Sequence, residues 1–244
     1  MENLLLLGAA AAAGPLAVGG KAFALSRLLR QEVRVPPGFC VTADGMDRLD
    51  SDAMSEALVE ALGRLGAQRV AVRSSAIGED APQHSYAGVF RSVLDVPSDP
   101  DSVRRALREV RASLSGASAE TYRQAMGITA AGMAALVQPM MDRSCAGVMF
   151  TRDPLSGARQ LVVEVSPDAA GSASVAYVVL EPSGEPANPD EVAALPAALP
   201  PLFGELARAA RSCEAVLGEG LDIEWTSGDG MVWVLQARAI SALG

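Results

Sequence analysis

Four short stretches of this chain carry the residue types that phosphate and divalent-cation chemistry require. The first is Gly19-Gly20-Lys21. A P-loop would need Gly at position 15 and Ser or Thr at 22, and Pro15 and Ala22 stand there instead. What remains is a glycine pair that lets backbone approach a ligand, then a lysine at a helix start, where N–H groups favour an anion. A helix-opening turn with a surface lysine is the alternative reading. The second runs from Val70 through Arg73-Ser74-Ser75 to Asp80 and on to Ser85-Tyr86-Ala87-Gly88. An arginine at a strand end followed by two hydroxyl residues can cradle phosphate, because guanidinium binds oxygens bidentately. Residues 78–85 would then form a loop closing over the phosphates; an ordinary strand-to-loop transition explains the same residues. The third, Leu136 to Met140 with Cys145 to Pro154, places Gln138 and Met140 beside Val148 and Met149. Two such strands offer an apolar slot and an amide for the edge of a planar base, although methionines serve equally well as core. The fourth joins Asp222-Ile223-Glu224 to Gln236-Ala237-Arg238. Residues i and i+2 of a strand share a face, so a hairpin would gather two carboxylates, an amide and a guanidinium. Hard oxygens beside a cation suit Mg²⁺ next to phosphate, and a cross-strand surface charge ladder is the plainer reading.

The elements that must position these residues follow from periodicity. A helix opens at Gly19 with Leu25, Leu28 and Leu29 on one face, and Val35 to Gly38 breaks it before a short strand over 39–42. A second helix spans 52–65, a strand 68–73, and an extended segment 86–96 stops at Pro97. In the amphipathic helix 98–114, Val103, Leu107, Val110 and Leu114 line one side. Arg104, Arg105, Arg108 and Arg111 occupy the others, as a solvated face or as a grip on phosphate. From residue 133 strands dominate: 133–140, 146–151, 160–165 and 174–180. A Pro-rich linker, 181–201, leads to a helix over 202–217 and then to strands 221–226 and 231–238. The turn between those strands, Ser227-Gly228-Asp229-Gly230, suits a hairpin. The class is α+β with two subdomains.

Composition narrows the options. The 244 residues are 50% apolar, enough for a substantial core, and the net charge of −9 disfavours nucleic acid and anionic membranes. One histidine, His84, excludes multi-histidine metal centres, and a His-based triad unless His84 is its member. Cys40, Cys145 and Cys213 are dispersed with no CxxC, so reduced cytosolic thiols are expected rather than disulfides or zinc. The apolar start, Leu4 to Val18, lacks a positive n-region and is interrupted by Gly14-Pro15; it reads as a buried Ala-rich segment. The expected setting is cytoplasmic.

Taken in order, Gly19 to Ala22, Val35 to Asp44, Val70 to Asp80, Ser85 to Gly88, Val137 to Met141, Ala146 to Pro154, Leu221 to Trp225 and Leu235 to Ser241 resemble a known pattern. They are similar to the N-terminal ATP-grasp module of the phosphoenolpyruvate synthase, pyruvate phosphate dikinase and rifampin phosphotransferase family. The resemblance covers nearly the whole chain. It implies an ATP-grasp fold with ATP between two subdomains: residues 1–97 with the phosphate-binding loops, and 98–244 with the adenine and metal site. It implies Gly20, Lys21, Arg73 and Ser74 at the ATP phosphates, and Gln138 and Met140 in the adenine slot. Asp222 and Gln236 would also serve the nucleotide site, Glu224 and Gln236 would hold Mg²⁺, and Arg73, Glu224 and Arg238 would act on the transferring phosphoryl group. In the family a histidine on another domain takes the β-phosphoryl of ATP, leaving AMP and phosphate. Only a three-residue tail follows Ser241, so the expected partner is a separate phosphohistidine-domain or acceptor-binding protein. A stand-alone small-molecule kinase or ligase and a non-catalytic nucleotide-binding subunit are the alternatives. The chain departs from the pattern at Val165 to Gly171, where the family has a GLGE-like segment. Ala239 stands where a proline is usual, and His84 lies outside any phosphohistidine motif.

Overall fold

The computed structural model describes residues 3–78, 90–115, 132–141, 144–166 and 175–240. It divides into two units: Met1–Ser26 with Pro37–Met140, and Arg27–Pro36 with Met141–Gly244.

The first unit is built on an antiparallel sheet of order β1-β2-β5-β3-β4. Its strands are β1 (Leu4–Leu6), β2 (Phe39–Val41), β3 (Arg69–Ala76), β4 (Ser92–Pro97) and β5 (Met133–Pro139). Its helices are α1 (Leu7–Ala13), α2 (Pro15–Leu29, passing into the second unit after Ser26), α3 (Ala43–Met46), α4 (Asp52–Leu65) and α5 (Pro100–Ala112). Local chemistry sets the ends of α4: Ser51 accepts a hydrogen bond from the Met54 amide, and Gly66 stops the helix in the left-handed region at φ 64°. Asp99 and Pro100 open α5 in the same way. Leu58, Leu62, Val103, Leu107 and Val110 pack with Phe39, Val41, Val70, Val72, Ala135 and Val137 into one core on one face of the sheet. Arg108 and Arg111 of α5 are exposed and tied down by acids, Arg108 to Asp50 and Arg111 to Asp47 at 2.6 Å, whereas Arg104 is mostly buried and bonds Asp101 at 3.2 Å and Ser55 Oγ at 2.7 Å.

The expected boundary at 97/98 is not where the chain divides. Both α5 and β5 belong to the first unit, and β5 lies between β3, paired from Met133 to Pro139, and β2, paired from Ala135 to Val137. Its six buried residues, Met133 to Gln138, mark a central strand covered on both faces. The N-terminal segment also differs from the expectation of wholesale burial. It forms β1 and α1, burying Leu7 and Ala10 while Leu6 stays 47% exposed.

The second unit carries a sheet of order β10-β9-β6-β7-β8, also antiparallel. The strands are β6 (Cys145–Phe150), β7 (Leu161–Val165), β8 (Ala176–Leu180), β9 (Leu221–Gly228) and β10 (Met231–Ala239). Helix α6 (Phe203–Leu217) packs on β9 and β10, burying Leu206, Ala207, Ala210 and Cys213. The segment 27–36 is fastened here by the Val234 amide on the Arg34 carbonyl at 2.8 Å. The Pro-rich linker folds back on β8 through the Ala187 amide and the Val179 carbonyl, then runs through short 3₁₀ turns. Asp229 and Gly230 have φ of 53° and 72°, as a two-residue hairpin turn between Gly228 and Met231 demands.

Candidate functional site

In the first unit the site begins with a fault in α2. Gly19 sits at φ 73°, ψ 166°, a region open essentially to glycine alone. A Cβ there would also lie 1.9 Å from the Ser75 carbonyl oxygen. Glycine is therefore required twice, by conformation and by contact. The break splits α2, and Ser75 spans it. Its Oγ donates to the Val18 carbonyl at 2.7 Å and accepts from the Ala22 amide at 3.0 Å. Ser75 is thus a pin holding a helix start onto β3 rather than a phosphate ligand. The first-turn amide of Gly20 has no acceptor within its own helix, so positive dipole gathers at that end. Lys21 is buried and its Nζ donates to the Ser74 carbonyl at 2.9 Å. Ammonium and helix dipole have the same sign at one place, which favours an anion.

Strand alternation sorts the neighbours. Val70, Val72 and Ala76 face the α4–α5 core, so Ser74 shares that face and serves Lys21 through its carbonyl. Ala71, Arg73 and Ser75 face the other way. Gln138 is paired with Ala71 and therefore joins them, on the face that carries Gly19 and Lys21. Gln138 is buried against Gly38: a Cβ at Gly38 would meet the Val137 carbonyl at 2.4 Å and Gln138 Cγ at 2.8 Å. Those contacts require glycine at position 38, just before β2. Met140 lies just past β5, half-buried, its amide on the Arg69 carbonyl at 2.9 Å. Lys21, Arg73, Gln138 and the start of the second helix half thus share one face of the first sheet.

The second unit carries its candidate residues on one face of its own sheet. The opposite face is apolar, with Ile223, Trp225, Met149, Val163 and Val178 buried. Registers across the ladder give two rows on the site face. One runs Gln236, Glu224, Val148, Glu164, Tyr177; the other runs Arg238, Asp222, Phe150, Val162, Val179. A bulge makes this possible. Val234 pairs with Trp225 on the apolar face, yet the next pair is Gln236 with Glu224, so Leu235 is the extra residue. Without that insertion Gln236 and Arg238 would keep the parity of Val232 and Val234 and point into the core.

Within the second row Arg238 Nε and Nη2 donate to one Asp222 oxygen at 3.0 and 2.7 Å, with both side chains mostly buried. Asp222 orients Arg238. Glu224 and Gln236 are the neighbouring cross-strand oxygen pair. Among the described residues no group of three or more His, Cys, Asp or Glu side chains gathers to hold a metal. A carboxylate and an amide oxygen nevertheless fit Mg²⁺, which takes one or two protein oxygens and completes its octahedron from phosphates and water. Glu164 and Tyr177, the latter 65% exposed, join this face without having been singled out from the sequence. The alternation Leu161-Val162-Val163-Glu164 was the available signal.

The thiols play no part: burial pushes Cys40 and Cys145 up and, with Glu214 adding to it, Cys213 to about 12. His84, the Ser85 to Gly88 segment, the closing-loop residues beyond Gly78 and positions 167–171 lie outside the described residues.

The family model for the pyruvate phosphate dikinase AMP/ATP-binding domain matches residues 49–179. The prodigiosin synthesizing transferase PigC of Serratia marcescens is 30% identical over 284 aligned positions, covering 93% of this chain and 32% of that protein. Rifampicin phosphotransferase of Streptomyces sviceus is 31% identical, covering 93% of this chain and 34% of that protein. This chain spans about a third of the length of these relatives. Both alignments are longer than the 244-residue chain, so the relatives hold internal segments that it lacks. Among solved structures, the dinucleotide-forming acetyl-coenzyme A synthetase 1 of Candidatus Korarchaeum cryptofilum matches with a TM-score of 0.51. It is 13% identical and the match covers 97% of this chain and 92% of that one, a likeness of fold. The fold is the α+β ATP-grasp fold. With the family model matching more than half of its length, the chain belongs to the pyruvate phosphate dikinase AMP/ATP-binding domain family, as a shortened module.

Proposed function

We propose that this protein binds Mg·ATP and passes a phosphoryl group to a histidine on a separate partner chain. Overall, ATP, water and the histidine yield AMP, inorganic phosphate and phosphohistidine. The observation that carries this reading is the Lys21 ammonium held at the helix start opened by Gly19, on a chain of this family. Gly20 and Lys21 would bind phosphate oxygens, and Arg73, on the same face of its sheet, would reach the charge that develops on the transferring group. Gln138 would read the edge of the adenine beside Met140. Glu224 and Gln236 would hold Mg²⁺, which when bound neutralises phosphate charge and orients the triphosphate. Asp222 fixes the Arg238 guanidinium so that its remaining donors meet the phosphoryl group without reorganisation. Ser74 contributes through its carbonyl on Lys21. The setting is proposed to be cytoplasmic, consistent with reduced thiols.

Product analysis tests the proposal. The protein is incubated with Mg²⁺, ATP labelled at the β-phosphate, and candidate phosphohistidine-domain proteins. The expected result is AMP and phosphate in equal amounts, with label on the partner's histidine. ADP as the product, or no AMP with every candidate partner, would overturn it.

A further inference from the structure

Behind the face that carries Asp222 and Arg238, a short polar chain joins the end of β6 to α6. Thr151 follows β6 and keeps the parity of the buried Met149, so it turns towards α6. Its amide donates to the Leu221 carbonyl at 2.8 Å. A regular antiparallel pair would return the Leu221 amide to the Thr151 carbonyl. Here that amide donates to Thr151 Oγ1 instead, at 2.9 Å. The hydroxyl in turn donates to Glu214 Oε1 at 2.6 Å, and the Gly220 amide reaches the same oxygen at 3.2 Å. An amide N–H only donates and a carboxylate only accepts, so the direction of the hydroxyl proton is fixed.

The helix does not account for Glu214. It lies in the last turn of α6, where a carboxylate opposes the helix dipole, and that turn holds no basic residue to offset it. What the chain holds is the first residue of β9. Leu221 is buried on the α6 side, and the next residue, Asp222, alternates to the site face, where one of its oxygens takes both Arg238 donors. The end of β10 is tied to the same place, the Ile240 amide donating to the Gly220 carbonyl at 2.8 Å.

We propose that Glu214 and Thr151 are positioning residues for the Asp222–Arg238 pair. This role rests on Arg238 meeting the transferring phosphoryl group, as proposed above. The run of carboxylate, hydroxyl and amide fixes where β9 begins, and so where the Asp222 carboxylate stands. Both Arg238 bonds end on a single oxygen, at 3.0 and 2.7 Å, so a small displacement of Asp222 turns the guanidinium. Thr151 and Glu214 act from the opposite side of the sheet, through Leu221, and do not contact Arg238 themselves.

Thr151→Val, which keeps the side-chain shape and loses the hydroxyl, and Glu214→Ala break the chain; Thr151→Ser returns the hydroxyl. The Arg238 Nε–H proton, identified by its absence in Arg238→Lys, is followed by NMR without nucleotide. Its exchange with solvent should quicken at least about tenfold in Thr151→Val and Glu214→Ala and stay at the parent rate in Thr151→Ser. With ATP, Mg²⁺ and the phosphohistidine partner, kcat for AMP formation should fall at least about tenfold in the two broken variants, while KM for ATP stays within about twofold. Unchanged Arg238 exchange in a folded broken variant, even with a lower thermal midpoint, leaves the chain a stabilising feature alone and overturns the proposal. So does an unchanged kcat although Arg238 is loosened. If Thr151→Val does not fold, Glu214→Ala decides by the same readings. A parent protein that forms no AMP overturns the phosphoryl-transfer reading instead, and Arg238 exchange then decides the positioning by itself.

Discussion

At the scale of the residue, the site rests on a few positions whose roles depend on a single contact or torsion. Gly19 combines a glycine-only conformation with a 1.9 Å limit against Ser75. Gly19→Ala should therefore cost about 1–3 kcal/mol in urea unfolding and weaken nucleotide binding further, because the helix start would be displaced. Ser75→Ala leaves the buried Ala22 amide without its side-chain acceptor, at about 1–3 kcal/mol, and measurement of the thermal midpoint checks it. The residue types were legible in the sequence: Gly-Gly-Lys and Arg-Ser-Ser pointed to phosphate. The division of labour between Ser74 and Ser75 was not. It depends on how far β3 runs, and the strand continues to Ala76 instead of ending at Arg73. Asp222 was likewise legible as an acid on the correct face, but its engagement with Arg238 required the register. Asp222→Asn should lower turnover more than ATP affinity, through a misplaced guanidinium, and a split of kcat from KM distinguishes this from lost binding.

At the scale of the element, propensity and pattern account for most of the helices and strands. Helix α4 runs from Asp52 to Leu65 as its periodicity and caps require, and α5 presents Val103, Leu107 and Val110 inward. Leu107→Ala should cost about 2–5 kcal/mol. Arg108→Ala, an exposed pair with Asp50, should stay within about 1 kcal/mol; denaturant midpoints separate the two. Two elements resisted reading. Strand β5 lies next to later strands in sequence but is central to the first sheet, because pairing partners are chosen by burial on both faces rather than by proximity. The bulge at Leu235 leaves no periodic signal, since the alternation on either side looks regular. Electrostatics at the β6–β7 connection is testable by pH. Arg152, hydrogen-bonded to Glu219, and Arg159 beside it hold the Glu219 carboxyl below the usual range. A lowered carboxylate stabilises the fold above its ordinary pKa, and that contribution disappears as pH falls through the lowered value. Carboxyl titration by NMR should find Glu219 below the ordinary glutamate value, and Arg152→Ala should bring it back up.

At the scale of the whole molecule, the chain holds its site residues in two sets on two units. Each set is built on one face of a five-stranded antiparallel sheet. An overall charge of −9 does not preclude binding an anion when cations are held locally, by a carbonyl at Lys21 and by a carboxylate at Arg238. The chain spans about a third of the length of these relatives, and the chemistry proposed for it needs a histidine on a partner chain. Nucleotide binding is therefore the step on which everything else depends. Isothermal titration of Mg·ATP into the protein, alongside Lys21→Ala and Glu224→Gln, tests it most directly. The account predicts saturable binding at one site per chain, weakened at least about tenfold in Lys21→Ala. In Glu224→Gln the loss should be smaller when Mg²⁺ is omitted. No binding by the parent protein, or affinity unchanged in both variants, would contradict it.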